Sequence, residues 1–577
     1  MLDINYKKHD NSVLFKTLEK NDMFHTQNYI PLYKNFFELS QQNFNKINLN
    51  QKYHLESIHS TSEKNKYDCK LKNSEKVFEK KSFFKFSPLL DPIKFMVGKY
   101  QNLKQEELCS LPKLTNNICH KKVLNINNTA YVDSFFSYLS GKVLEKHNIY
   151  NAIDFYGSFL TIKKNFSINI FDDLEYLTDS SYFVENCNKL FKIENVEDFM
   201  YSNSTRNNIK KLKIENDEKI ILNLDEIKSA DFDKIFKKSQ LMNVKQDISA
   251  NIVFEYDIKN NKNNKKKMSL KSDSSECSSN SSHTSHEHSG SEYYEESEES
   301  EESEESEESE ESKESEESEE EDEMVEAKLF YFPIQIISLE ELAGTLDSCL
   351  EKDSELKAHE WRSCLFQIII TLIIYQNMFD FTHNDLHTNN IMYKNTSKQY
   401  LYYKYDNTYY KVPTYGKIWK IIDFGRAIYK FKGKQICSDS FHKNGDAATQ
   451  YNCEPFFNDK KPRLEPNKSF DLCRLGCSLF DYFISELDEQ YKISNPISKL
   501  IVQWCKDDKN RNILYKTNGD ERYPEFKLYK MIARTVHKYT PHSQIKNSLF
   551  EKFITSRKKI NKKANILNID KLPSYIK

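Results

Sequence analysis

His383-Asn384-Asp385-Leu386-His387-Thr388-Asn389-Asn390, followed by Ile422-Asp423-Phe424-Gly425, is the stretch on which the reading of this 577-residue chain turns. An aspartate stands five residues before an asparagine, and a second aspartate precedes Phe-Gly. Each follows an apolar run. Asn390 and Asp423 offer hard oxygen atoms of the kind that bind Mg²⁺, and Asp385 offers a carboxylate that can accept a proton. Taken singly these motifs say little. A lone Asp-Phe-Gly is a common turn, and a His and an Asp near a turn usually satisfy backbone groups. Their joint order carries the information.

The composition around this stretch is uneven. Apolar residues make up 38% of the chain and only 11 residues are glycine. From Glu292 to Glu323 there are 21 acids and one lysine, so removing that local −20 from the total of −3 leaves the rest of the chain at +17. A basic body suits phosphates or acidic partners, although a lysine-rich solvated surface has the same composition. The 12 cysteines include no C-x-x-C pair and read as scattered thiols in a reducing compartment. The N-terminal residues lack the apolar run of a signal peptide. The longest apolar stretch, Leu365 to Tyr375, is shorter than a bilayer span and contains Gln367. The expectation is an intracellular protein that binds neither membrane nor nucleic acid.

Composition divides the chain into 1–73, a polar N-terminal extension ordered in part, then 74–258, 259–326, 327–560 and a tail, 561–577. Val77 to Phe86 reads as a strand pair, Thr129 to Lys146 as a helix with one apolar face, and Ile153–Phe159 and Phe166–Ile170 as two strands. Residues 172–256 have no clear pattern. The stretch 259–326 is a low-complexity linker expected to stay disordered, with an Asn/Lys run, a Ser/His run and then repeated Ser-Glu-Glu. That last tract reads either as a solubilising spacer or as an acidic, substrate-like arm. Ala327 to Ile337 reads as a buried strand, and His359 to Asn377 as a helix apolar nearly all round. Beyond Asp423 the chain reads as mainly helical.

The two motifs together resemble the catalytic loop and the metal-binding loop of protein kinases. The resemblance implies an α+β, bilobal fold with a small β-rich lobe and a large helical lobe, and transfer of phosphate from ATP to serine or threonine hydroxyls of a protein substrate. Asp385 and His387 would be catalytic. Asn390 and Asp423 would hold Mg²⁺ and, with Lys85 in Phe83-Phe84-Lys85-Phe86, the nucleotide phosphates. The partner of Lys85 would be Asp133 or Glu145. Ile334 to Leu346 would carry the fifth strand and the hinge, with Leu339 as gatekeeper and the backbone of Glu340 and Leu342 facing the adenine. Ser469 to Phe480 would be the central helix of the large lobe, with Asp471 bonded to the catalytic-loop backbone.

The chain departs from that pattern in several places. No glycine precedes Gly98, so the turn over the phosphates, near Ser60 to Asn73, must use other residues. Asn384 stands where an arginine usually meets a phosphorylated activation loop, which argues against control of that kind. His387 replaces the usual lysine, as in haspin-like and aminoglycoside-kinase-like relatives, and would donate to the phosphoryl group if protonated. Glu454 and Glu465 compete for the acid that closes the activation segment, with Arg511 as its candidate partner. Tyr400 to Tyr410 reads as an extra hairpin. His383 to His387, and Lys461-Pro462-Arg463-Leu464-Glu465-Pro466-Asn467, resemble the divergent serine/threonine kinases of giant DNA viruses, which implies the host cytoplasm or a virion. The alternatives are a small-molecule kinase of the aminoglycoside or choline type, and a pseudokinase scaffold. Substrate identity and oligomeric state are not legible.

Overall fold

Tyr67, Cys69 and Leu71 are buried while Asp68, Lys70 and Lys72 are exposed. That period of two makes Lys66–Lys72 a half-buried strand. It pairs antiparallel with His54–Ser60 on one side and Val77–Pro88 on the other. The computed structural model describes residues 2–8, 10–74, 76–194, 325–351 and 355–577. The linker reading for 259–323, its Ser-Glu-Glu tract included, and the reading of 195–256 lie outside these residues.

The fold is mixed α+β. Its largest sheet runs Met23–Gln27, Phe155–Asn169, Glu326–Glu340, Val77–Pro88, Lys66–Lys72, His54–Ser60, with Phe191–Glu194 also paired to Glu326–Glu340. Every pairing in it is antiparallel. Three of these strands come from residues 1–73, and Leu14, Leu18, Leu55 and Ile58 of that stretch lie in the core. The expected extension is therefore part of the sheet. Its apolar residues are set singly among Asn and Lys, which lowers the regional hydropathy without removing the alternation.

Val77–Pro88 is one strand, not a pair. Its first half pairs with Lys66–Lys72 and its second half with Glu326–Glu340. The polar Glu79-Lys80-Lys81 run is exposed because it falls in the half that lacks a second neighbour. Phe155–Asn169 is likewise continuous, with a bulge between Phe155 and Gly157.

Asn128 caps the Thr129–His147 helix by accepting from Ala130 N–H. The helix is not one-faced: every residue from Ala130 to Val143 is buried. A Cβ on Gly141 would lie 3.1 Å from both Cβ and N of Phe155, so glycine permits this close approach of helix to sheet. One turn away from Asp133, Phe136 meets the rings of Tyr375, Phe379, Phe381, Phe424 and Tyr429. This aromatic hub fixes the helix against the segment that carries Asp423.

The Ala358–Phe379 helix is long and apolar enough to cross a membrane, but 89% of that window is buried inside the fold. The apolar run from Leu365 to Tyr375 understated its length. Asp380 ends it in the left-handed region, φ 52°, with its N–H on Gln376 O. After Asp423 come the strands Ile428–Phe431 and Lys434–Cys437 and a single 3-10 turn, Asp439–Phe441, and the next α-helix among the described residues is Phe470–Phe483. The hairpin Tyr400–Tyr405/Thr408–Pro413 forms as expected, turning on Asp406 and Asn407, both with positive φ. The residues from 561 on are not a loose tail. Ile566–Asn568 pairs in parallel with Tyr402–Lys404, and Tyr575 is buried against Phe379 and His147.

Candidate active site

The helix Phe470–Phe483 places a fully buried carboxylate, Asp471, beneath the chain leaving Asp380. Its two oxygens accept the backbone N–H groups of His383 and Asn384, each at 2.9 Å. Burial raises its pKa. Asp471→Ala is expected to destabilise the fold by about 1–3 kcal/mol for each buried N–H left unpaired, read as a lower denaturant midpoint. A midpoint equal to wild type would refute this anchoring role.

Asn384 adopts φ 65°, a left-handed backbone that asparagine tolerates better than most residues. Its side chain accepts from Tyr451 Oη at 2.8 Å and donates to the carbonyls of Thr382 and Arg426. It forms a neutral knot where an arginine was the expected residue type. Further along, Asp439 accepts from both the N–H and the hydroxyl of Thr129, and pairs with Lys122 at 2.6 Å. A carboxylate at a helix N-terminus is favoured by the helix dipole. The segment after Asp423 is thus fastened to the Thr129–His147 helix by its own charge.

Asp385 Oδ1 accepts from Tyr529 Oη at 2.9 Å, and Tyr529 Oη in turn accepts from Arg474 Nε at 2.9 Å. Asp385 Oδ2 lies 3.8 Å from Arg426. Burial alone would raise the Asp385 pKa; Arg426 first, then His387, Arg474 and the Tyr529 hydrogen bond, outweigh it and hold the carboxyl well below its usual range. Arg426 is itself held by Asp446 at 2.7 Å. A low pKa keeps Asp385 ionised and able to accept a proton.

Asn390 Nδ2 donates to Asp385 O and to His387 Nε2, both at 2.9 Å. These two acceptors fix the orientation of the amide. Asn390 Oδ1 is then buried with no hydrogen-bond partner. His387 Nε2 acts as acceptor, so the proton of its neutral ring sits on Nδ1. Burial lowers its pKa to about 4, so the protonation that donation to a phosphoryl group would require is disfavoured near neutral pH. His383 Nε2 reaches Ile422 O at 2.8 Å while its Nδ1 accepts Asp385 N–H at 3.3 Å. The two motifs are thereby tied together, as they are by the ladder of Ile391–Asn395 with Lys417–Ile421.

Asp423 has φ 60°, and such non-glycine positions concentrate at functional sites. Its Oδ1 lies 2.7 Å from Lys85 Nζ. Lys85 also pairs with Asp133 at 2.7 Å, whereas Glu145 pairs with Lys142. Of the two candidates, Asp133 is the partner of Lys85. Asp133 Oδ1 accepts Phe424 N–H at 3.0 Å, which closes the triangle. Burial opposes the charge on Lys85, but Asp133 and Asp423 overcome it and push its pKa up.

The donor set fits Mg²⁺. Mg²⁺ favours one or two carboxylate or amide oxygens with substrate phosphates and water filling the rest. The orphaned Asn390 Oδ1 and the Asp423 carboxylate would be such a pair, on segments joined by the backbone bond from Ile422 N–H to Asn390 O at 3.0 Å. Among the described residues, no three His, Cys, Asp or Glu side chains cluster as a metal site.

The strand Glu326–Glu340 ends where the hinge was expected, and pairing resumes at Gly344–Thr345. Glu340 N–H is committed to Asp154 O, and its buried carboxylate pairs with Lys420 at 2.7 Å and with Lys394. Only its carbonyl could meet a ligand. Leu342 lies in the short segment between the strands. The turn between His54–Ser60 and Lys66–Lys72 is closed without glycine: Thr61 Oγ1 donates to Lys66 O, and Asn65 takes φ 58°. Arg511 pairs with Asp507 at 2.9 Å, while both Glu454 and Glu465 pair with Arg463. The expected closure by Arg511 is therefore corrected.

The sequence reading missed Arg426, Arg474, Tyr529 and Asp439. Arg426 directly follows Gly425 and could have been suspected. Tyr529 comes from a helix 144 residues after Asp385 and carries no local signal. No protein-family model matches this chain, and no curated protein matches it.

Proposed function

We propose that the chain is a serine/threonine protein kinase of bilobal architecture, in which the large sheet and the Thr129–His147 helix form the small lobe. The segment Glu340–Gly344 joins it to the helical remainder, and ATP binds between the two. The observation that carries the reading is the pinned amide of Asn390: its oxygen is buried without a hydrogen-bond partner, its Nδ2 donates to Asp385 O, and its own carbonyl accepts the N–H of Ile422, the neighbour of Asp423, which pairs with Lys85.

Mg²⁺ on Asn390 and Asp423 would neutralise charge on the transferring phosphoryl group. Lys85 orients the phosphates, and Asp133 keeps Lys85 aimed at them. Asp385 accepts the proton of the attacking hydroxyl. Tyr529 occupies Oδ1, so Oδ2 is the oxygen that takes that proton. Positioning and fixed charge supply most of the rate. The contact of Asp439 with Thr129 supports an assembled site that does not depend on phosphorylation of the segment after Asp423.

The test is transfer of labelled phosphate from Mg-ATP to casein and extract proteins, run beside choline and aminoglycosides. Label on protein serine or threonine is expected. Label only on the amino-alcohols would replace the reading with a small-molecule kinase. Absence of any Mg-ATP thermal shift would replace it with a scaffold.

A further inference from the structure

Beside Asp385 the surface is basic. Lys527, Lys530 and Arg534 fall at i, i+3 and i+7 on the Lys527–Thr535 helix, hence on one face. That helix also carries Tyr529, the residue bonded to Asp385. Lys530 Nζ lies 5.5 Å over the Phe526 ring, and Phe526 stacks on Tyr529 at 5.2 Å. The guanidinium of Arg426, which faces Asp385, lies 5.9 Å over the same Phe526 ring. Arg534 donates to Thr449 O, so the face continues onto the segment that follows Asp423. Lys461 of that segment is exposed, and with Arg534 it stands near enough to Lys530 to help burial lower the Lys530 pKa. Residues 458–463 and 525–534 together hold six Lys or Arg; Arg463 pairs with Glu454 and Glu465, and the other five stand against Asp459 and Glu525. Such an excess of positive charge favours an acidic ligand.

The chain itself contains that ligand chemistry. Ser297, Ser300, Ser303, Ser306, Ser309 and Ser318 are each followed by two glutamates. In an extended segment residues advance about 3.3 Å each, so a serine at Asp385 would set its next carboxylates within reach of side chains as long as lysine or arginine. The ends of the insertion are anchored, since Glu194 and Glu326 pair across adjacent strands. About a hundred residues of sequence lie between Glu194 and the first repeat.

We propose that the substrate class of this site is serine followed by acidic residues, and that the Ser-Glu-Glu tract of this chain is one such substrate. The proposal rests on the kinase reading above. The serine Oγ attacks the γ-phosphorus of ATP, the bond from that phosphorus to the β,γ-bridging oxygen breaks, and ADP leaves. The serine proton goes to Asp385. Lys461, Lys530 and Arg534 hold the carboxylates that follow the serine.

The experiment uses the full chain with Mg-ATP, mapping phosphate by mass spectrometry, with Asp385→Asn as the inactive control. In parallel, kcat/KM is measured on a Ser-Glu-Glu repeat peptide and on the same peptide with every Glu replaced by Gln. Phosphoserine between Ser297 and Ser318 is expected, with at least a tenfold preference for the acidic peptide. The preference should shrink toward one in Lys461→Glu/Lys530→Glu and at high salt, where exposed charges are screened. A melting curve on the double variant confirms that it is folded. Equal rates on the two peptides, or a tract left unmodified while extract proteins are labelled, overturns the substrate assignment and leaves the kinase reading standing. No transfer to any acceptor overturns both.

Discussion

Asp385→Asn is expected to lower kcat by about 10²–10⁴-fold, the range that general-base catalysis contributes, with little change in melting temperature. The substitution keeps the shape of the side chain and an oxygen for Tyr529 Oη, which lies 2.9 Å from Oδ1 in the wild type. It removes the charge and the proton acceptor. Arg426 and Arg474 would then face a neutral amide, so part of the loss is electrostatic. The same two guanidiniums hold the wild-type carboxyl well below its usual range. Protonation of Asp385 therefore does not limit the wild-type rate between pH 7 and pH 5, and a fall in rate across that window must come from another group. His387 is not that group, since its pKa lies near 4. Initial rates and melting curves on the purified variant decide the matter. Wild-type activity in Asp385→Asn would remove this residue from the chemistry.

The second large effect concerns Asp423. Asp423→Ala removes one of the two oxygen ligands proposed for Mg²⁺ and one of the two carboxylates that hold Lys85. The expected result is loss of the Mg²⁺-dependent part of ATP binding and a fall in kcat of about 10²-fold or more, as when a single stabilising group at a reacting centre is removed. Thermal stabilisation reports binding directly. A ligand at 100 times its Kd stabilises a protein by about 2.7 kcal/mol, so the wild type should melt higher with Mg-ATP than with ATP and chelator. In Asp423→Ala the two curves should coincide. Retained Mg²⁺ dependence in this variant would place the metal elsewhere. Asn390→Ala should act in the same direction, because the buried Asn390 Oδ1 has no other partner to lose.

How far the sequence could be read differed with the range of the interactions. The meeting of His383 to Asn390 with Ile422 to Gly425 was legible because each motif is set by short spacing, and the ladder of Ile391–Asn395 with Lys417–Ile421 brings the two segments together. The Thr129–His147 and Ala358–Phe379 helices were legible because long apolar-rich segments declare themselves. Residues 1–73 were not, since Asn and Lys between single apolar residues hid strands that alternate in and out of the core. Val77–Pro88 looked like two strands because its polar centre marks a change of neighbour, which is a property of the sheet.

The amino-acid order by itself determined which oxygen atoms are available, Asp385, Asn390 and Asp423, and that the two motifs carrying them each follow an apolar segment. Tertiary structure decided which charges meet. It chose Asp133 over Glu145 for Lys85, gave Asp385 a tyrosine and two arginines from later elements, and turned Asn390 so that its oxygen is left without a partner. Those outcomes depend on distances between segments far apart in the chain. Electrostatic and hydrogen-bonding energies change over a few ångströms, a scale that spacing along the sequence does not encode.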